Sequence, residues 1–292
     1  MNLGEYNTLT ALRFKEQGCY LGPKELEGQD TGGVLLPNAY VPDSLDVGDE
    51  IEVFIYHDFE DRLIATTIKP AVALHGFAPL KVKDITSVGV FMDWGLPKNL
   101  FVPFAEQGKS EMIVGQTYVI FLYIDTETSR LVGSAQVENI LDNDEINVKE
   151  EEEVDLIIYR ESPLGYMAII NNENIGLIYR SSTFQPLHRG LQLKGYVQKI
   201  RDDNKIDLVI QKQGHLAMES NAQHVLDILK QNNGFLPFTD KSDPEKIRAT
   251  FNISKKVFKR SVGNLYKQRI VRLSAEGFHL IEEEAKGTTE EE

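Results

Sequence analysis

Cysteine is almost absent from this sequence of 292 residues. Cys19 stands alone, so no intramolecular disulfide can form, and a thiolate-based zinc site would have one ligand to draw on. This pattern suits a reducing compartment, and a cytoplasmic location is expected. Long apolar runs are missing too. No stretch approaches the roughly 18 apolar residues of a membrane span, and residues 1–6 carry neither a basic leader nor an apolar core. No membrane partner is therefore expected. Net positive charge is also lacking. A formal charge of −14 argues against indiscriminate coating of nucleic acid, because phosphate attraction supplies most non-specific affinity.

Signatures of chemistry are scarce as well. The six histidines, His57, His75, His188, His215, His224 and His279, are scattered without a pair at metal-ligand spacing. There is no phosphate-binding glycine loop, no His-Glu-x-x-His pair and no nucleophile elbow. Carboxylates such as Asp125 and Glu127 fit charged hairpin turns better than a metal-dependent nuclease centre. The expectation is a protein that is not an enzyme and has no catalytic residue, no metal and no cofactor.

What is present is an ordinary globular composition, 41% hydrophobic and 26% charged, on a chain long enough for two or more domains. The charge is unevenly placed. Residues 214–281 hold 11 basic against 6 acidic side chains, while 282–292 hold one Lys against six Glu, so only the stretch before the tail is basic.

Internal repetition organises the first two thirds. Gly18-Cys19-Tyr20-Leu21 is followed by Gly33 to Pro37, Asp46-Val47-Gly48-Asp49, Ile51 to Tyr56, Asp58 to Arg62 and Leu63 to Thr66. The same landmarks return as Gly89 to Met92, Leu100 to Pro103, Val114-Gly115-Gln116, Tyr118 to Tyr123, Asp125 to Arg130 and Leu131 to Ser134. A more diverged third copy runs Gly165 to Ala168, Ile175 to Tyr179, Arg189-Gly190-Leu191, Leu193 to Ile200 and Ile206 to Val209. The leading glycines are 71 and 76 residues apart, and the first copy carries an insertion around Glu25 to Gln29. Short apolar strands between turn residues indicate antiparallel β structure, and five strands in about 60 residues suit a small closed barrel. The segment Asp142 to Asp155, with Glu150 to Glu153 in a row, reads as an acidic linker.

After Gln213 the period becomes helical. Ala222 to Lys230 predicts a helix. Ser242-Asp243-Pro244-Glu245 places cap, first-turn proline and acidic residue in order to open a second, through Thr250. A third begins after Ser254 and runs to about Arg269. Ile270 to Leu273 and Gly277 to Ile281 then form a hairpin, completing the outline of a winged helix.

Each repeat resembles the S-one type RNA-binding OB domain, and three copies followed by a winged helix resemble the conserved virulence factor B family of bacterial RNA-binding regulators. The fold class expected is multidomain and mainly β: three OB-fold (S-one like) five-stranded barrels in tandem plus a C-terminal α+β winged-helix domain. The units expected are barrels at 1–70, 71–140 and 153–214, an acidic linker at 141–152, the winged helix at 215–284 and an acidic tail at 285–292. The resemblance implies aromatic contacts at Tyr20 and Phe91, acidic positions at Asp58 and Asp125, and basic ones at Arg62 and Arg130. The chain departs from the pattern where such domains carry a histidine, having Pro37, Pro103 and Tyr179, and where they carry a second aromatic, having Gln17, Val88 and Leu164. Met167 replaces the aromatic in the third copy.

Strand alternation independently sets Val88, Val90 and Met92 inward and Phe91 outward, with Tyr20 outward by the same reasoning. Two readings stand for Phe91: a base-stacking platform, or packing under a loop or neighbouring domain. Arg62 and Arg130 either meet phosphate or pair with Asp58 and Asp125. On the third winged-domain helix, Phe258, Val262 and Leu265 mark a buried face. Lys256, Arg260 and Lys267 lie opposite, Lys255 and Lys259 flank them, and Arg269 and Arg272 carry the charge into the wing. The leading expectation is a monomeric, post-transcriptional regulator that binds single-stranded RNA. Alternatives are a duplex DNA-binding transcription regulator and a scaffold on the ribosome or RNA polymerase.

Overall fold

A computed structural model describes residues 1–26, 28, 31–108, 111–183, 186–210 and 215–281, with the backbone alone for 215–220. Part of the first-copy insertion and the acidic tail at 285–292 lie outside the described residues. The first unit contains β1 (Tyr6–Lys15), β2 (Gly18–Gly22), β3 (Val34–Pro37), β4 (Glu50–His57) and β5 (Leu63–Thr66). They close into a barrel in the order β1-β2-β3-β5-β4, with β3 and β5 parallel. The second contains β6 (Phe77–Ile85), β7 (Gly89–Asp93), β8 (Leu100–Pro103), β9 (Thr117–Ile124) and β10 (Leu131–Ser134). Its order is β10-β9-β6-β7-β8, and β8 lies beside β10 without the ladder that closes the other barrels. A one-turn helix α1 (Val137–Ile140) leads to the third barrel. That barrel is β11 (Glu153–Glu161), β12 (Gly165–Ile170), β13 (Asn174–Tyr179), β14 (Gln192–Ile200) and β15 (Ile206–Val209), closed as β11-β12-β13-β15-β14.

The repeated glycine has a steric cause. Gly18, Gly89 and Gly165 pair with Pro37, Pro103 and Tyr179 on the next strand. A Cβ on them would lie 2.0, 2.6 and 2.1 Å from the carbonyl oxygens of Leu36, Val102 and Ile178. Only a residue without a side chain allows that approach. Each first strand also carries a bulge at an equivalent point, Ala11/Arg13, Val82/Asp84 and Ile158/Arg160, which bends the sheet toward closure. Alternation then buries Cys19 and Leu21, Val90 and Met92, and Tyr166 and Ala168. Val88 departs from the inward placement and is 64% exposed. It sits in the turn before β7, where its N–H donates to the Thr86 hydroxyl, so strand alternation does not govern it.

Apolar seams join the barrels. Trp94, buried in the second, packs edge-on against Phe54 and Tyr56 of the first, at 5.9 and 6.4 Å between centroids. Its indole N–H donates to the Lys98 carbonyl at 2.7 Å. Phe77, Val119 and Val137 meet Ile157, Tyr159 and Ile169 of the third barrel in a second cluster. The acidic segment 141–152 is likewise packed, against the reading of a plain linker. Val148 is buried in the third barrel's core with Ile146 beside it, and Asn143 bonds Ile175 in both directions while also reaching the Asn204 carbonyl. Two apolar side chains and these hydrogen bonds anchor a run whose average composition is that of a solvated tether.

The last unit holds α2 (His215–Gln231), β16 (Phe235–Leu236), α3 (Pro244–Phe251), α4 (Lys255–Lys267), β17 (Val271–Leu273) and β18 (Phe278–Leu280). Its strands form a sheet in the order β16-β18-β17. Asp243 caps α3 by accepting from the Glu245 and Lys246 N–H groups, and Ser254 caps α4 by accepting from Val257. Phe238, Phe251, Phe258 and Phe278 form a ring cluster beneath the helices. Three details differ from the sequence reading: α2 begins at His215, α4 ends at Lys267, and β16 adds a strand. The residue that ends α4 early is Arg269, which takes left-handed backbone at φ 58°. Among the described residues no helix is long and apolar enough to cross a membrane.

Trp94→Ala is expected to remove about 3–5 kcal/mol of stability, as large aromatic truncations in packed cores do. Chemical denaturation of the variant and parent checks this.

Candidate nucleic-acid interface

On the first barrel, Tyr20 points outward from β2 and is half-buried. The Arg13 guanidinium lies 4.6 Å from its ring centroid and the Lys15 ammonium 5.9 Å. Arg13 arrives there because the bulge in β1 sets it opposite Tyr20, while Leu35 of β3 flanks the other side. A ring held by cations and partly open is suited to a stacked base with its phosphate nearby. Arg13 and Lys15 were not found from the sequence. Alternation indicates which residues face outward along one strand, but the residue opposite Tyr20 depends on a register that the bulge shifts by one.

Arg62 follows the ion-pair reading. Its Nε and Nη2 both donate to Asp58 Oδ2, at 2.9 and 2.7 Å, and Nη1 meets Glu60 at 2.8 Å. Burial pushes the Asp58 carboxyl up, but the N–H of Arg62, its guanidinium and the N–H of Glu60 outweigh this and hold it below the usual carboxylate range. Arg62 thus reaches any phosphate already shared between two carboxylates.

On the second barrel, Phe91 lies half-buried on the outer face against its cross-strand neighbour Phe101, 5.4 Å between centroids. The two rings make one apolar platform. Asp84 occupies the place that Arg13 has in the first barrel, so no cation sits opposite the ring. Asp125 accepts from the N–H groups of Glu127 and Thr128 and from the Thr128 hydroxyl, donors that keep its carboxyl below the usual range. It shapes the β9–β10 turn. Arg130 forms an ion pair, the second of the two readings, but with Asp61 of the first barrel in place of Asp125. Asp61 also accepts from Lys98 at 2.8 Å, and that bond holds its carboxyl low. The reason is local: the turn N–H groups satisfy Asp125, which leaves Arg130 to bridge barrels.

The third barrel has Met167 beside Leu177 at the same place. Arg160, opposite Met167, is engaged by Glu138. Arg201 at the following hairpin pairs with Asp207 at 2.9 Å.

In the winged unit Phe258, Val262 and Leu265 are buried, and the predicted basic residues lie on the outside. Lys255 donates to the Ser242 carbonyl at 2.8 Å, and Lys259 is 3.7 Å from Asp240. Lys256, Arg260, Lys267, Arg269 and Arg272 are exposed and make no ion pair among the described residues. The first three follow one stripe of α4 with Gly263 between them. A Cβ on Gly263 would meet nothing within 4 Å, so the middle of the stripe is bare backbone.

Residues 223–280 match the CvfB-like winged helix domain, and residues 3–68 match the S1 domain. The uncharacterized protein YitL of Bacillus subtilis (strain 168) is 28% identical over 274 residues, covering 91% of this chain and 90% of that protein. Conserved virulence factor B of Staphylococcus aureus (strain USA300) is 28% identical over 237 residues, 79% of each. A crystal structure of a multidomain protein with nucleic acid binding domains from Streptococcus pneumoniae TIGR4 aligns with 96% of this chain and 98% of its own, at 25% identity and a TM-score of 0.45. Both matched domains are of nucleic-acid-binding types. The chain joins an S1 domain and two further barrels to a CvfB-like winged helix domain, and it resembles the conserved virulence factor B family over most of its length.

Proposed function

We propose that this protein binds single-stranded RNA on the outer faces of its first two barrels, gripping the backbone with α4 and the wing, and so acts in post-transcriptional control. The observation that carries the reading is Tyr20, a partly open ring flanked by Arg13 and Lys15 on an S1-type barrel. Splayed bases stack on such rings, whereas a duplex hides them. The Phe91–Phe101 platform on the next barrel offers a second stacking point. The protein works as a cytoplasmic monomer and performs no chemical step. Labelled RNA incubated with it should be recovered intact on a denaturing gel.

A second reading has the exposed basic stripe of α4 entering the major groove of duplex DNA, as recognition helices do. Anisotropy titrations against labelled single-stranded RNA, single-stranded DNA and duplex DNA, at several salt concentrations, separate the two. Salt-dependent preference for single-stranded RNA supports the proposal. Preference for the duplex, with a dimer in solution, overturns it in favour of the groove reader. No binding to any of the three leaves a protein scaffold.

Tyr20→Ala and Phe91→Ala should each weaken RNA binding by about 1–3 kcal/mol, the contribution of one stacked base, and unchanged affinity in both would remove the barrel faces from the interface. Lys256→Glu with Arg260→Glu should flatten the salt dependence, by about 0.7 in the logarithmic slope for each lost phosphate contact. Gly263→Ala should act in opposite directions. Thermal melting should show the fold stabilised by about 1 kcal/mol, because a helical glycine with open space is replaced by a better helix former. The same change should weaken binding if the backbone of α4 meets nucleic acid there.

A further inference from the structure

A cleft of about 400 Å³ opens where the second and third barrels meet, and neither Tyr20 nor Phe91 lines it. One wall is electrically closed. Arg160 is bound to Glu138, which also accepts from the Tyr159 hydroxyl. The other wall carries Arg189, whose guanidinium carbon lies 4.4 Å from the ring centroid of Tyr118. Arg189 is exposed and makes no ion pair among the described residues.

Arg189 is held in place from both sides. Tyr118 is buried, and its hydroxyl accepts the Ile113 N–H at 3.1 Å, which fixes the ring beneath the guanidinium. The turn that carries Arg189 is tied to its own barrel by Gly190 N–H donating to the Ile158 carbonyl at 2.7 Å. It is also pressed on the second barrel, since a Cβ on Gly190 would lie 2.9 Å from Thr117 Cγ2. A planar cation thus sits over a fixed ring and lines the cleft. Nearby, the Gln107 side-chain oxygen accepts the Met112 N–H, leaving its amide NH2 as a donor. Asn139 donates its NH2 to Gln136, leaving its side-chain oxygen as an acceptor. A flat cation beside one donor and one acceptor complements a nucleobase, which has a π-face and a polar edge. The volume lies in the range of small-molecule sites.

We propose that this cleft takes one unstacked base of the bound strand, lying on the Arg189 guanidinium with its edge read by Gln107 and Asn139. The inference rests on the single-stranded RNA reading and adds a contact outside the two barrel faces. The test is the anisotropy of a fluorescein-labelled 20-nucleotide mixed-sequence RNA with wild type, Arg189→Ala and Arg189→Lys, each checked for an unchanged melting temperature. Stacking predicts that both variants lose about tenfold or more in affinity, because lysine keeps the charge but not the plane. Full binding by Arg189→Lys with loss in Arg189→Ala overturns the stacked base and indicates a phosphate contact. Equal binding by all three overturns the cleft as a contact while leaving the RNA reading standing. A wild type that binds no single-stranded RNA overturns both.

Discussion

In each barrel the second strand comes so close to the third that a side chain at the leading glycine would overlap the neighbouring carbonyl, at 2.0, 2.6 and 2.1 Å for Gly18, Gly89 and Gly165. That contact and the bulge on the first strand are what curl five short strands tightly enough to enclose a core. They also fix the residue two places after the glycine. It projects outward, opposite the residue that follows the bulge, so Tyr20 meets Arg13, Phe91 meets Asp84 and Met167 meets Arg160. One steric constraint, repeated three times, creates three surface positions of one geometry and three chemistries.

Those chemistries are unequal. The first barrel presents an aromatic ring with two cations. The second presents two aromatic rings with a carboxylate opposite, and the third a thioether with a neutralised arginine. On an acidic chain several cations are paired off, Arg160 with Glu138 and Arg201 with Asp207, while those on the outer stripe of α4 make no ion pair among the described residues. The arginines of the hairpin turns illustrate the pairing. Arg62 is held within its own turn by Asp58 and Glu60, and Arg130 crosses to Asp61. A surface ion pair of this kind contributes on the order of 0–1 kcal/mol, so its consequence is positional: it sets where a cation is and how much of its charge is left for a ligand.

The seams between barrels convert separate modules into a continuous support. Trp94 draws Phe54 and Tyr56 into the second barrel's cluster, and Phe77 and Val119 share theirs with Ile157 and Ile169. The acidic run after α1 is bound down by Ile146, Val148 and Asn143, so the third barrel is strapped by the chain that leads into it. Contacts at such seams exist only because two barrels meet, and that of Arg189 with Tyr118 is one of them.

The sequence by itself determined the three-fold repeat, the outward placement of Tyr20 and Phe91, the inward placement of Cys19, Val90 and Met92, the capped helices at Asp243 and Ser254, and the basic face of α4. All of these depend on local periodicity or on steric demands within a few residues. Only the tertiary structure decided what lies across from each outward residue, because register, bulges and the packing of one barrel on another are long-range. It therefore brought Arg13 and Lys15 to Tyr20, sent Arg130 to Asp61 in place of Asp125, exposed Val88, and anchored a segment whose composition reads as a free tether. Alternation specifies a face, whereas a partner is specified by the whole fold.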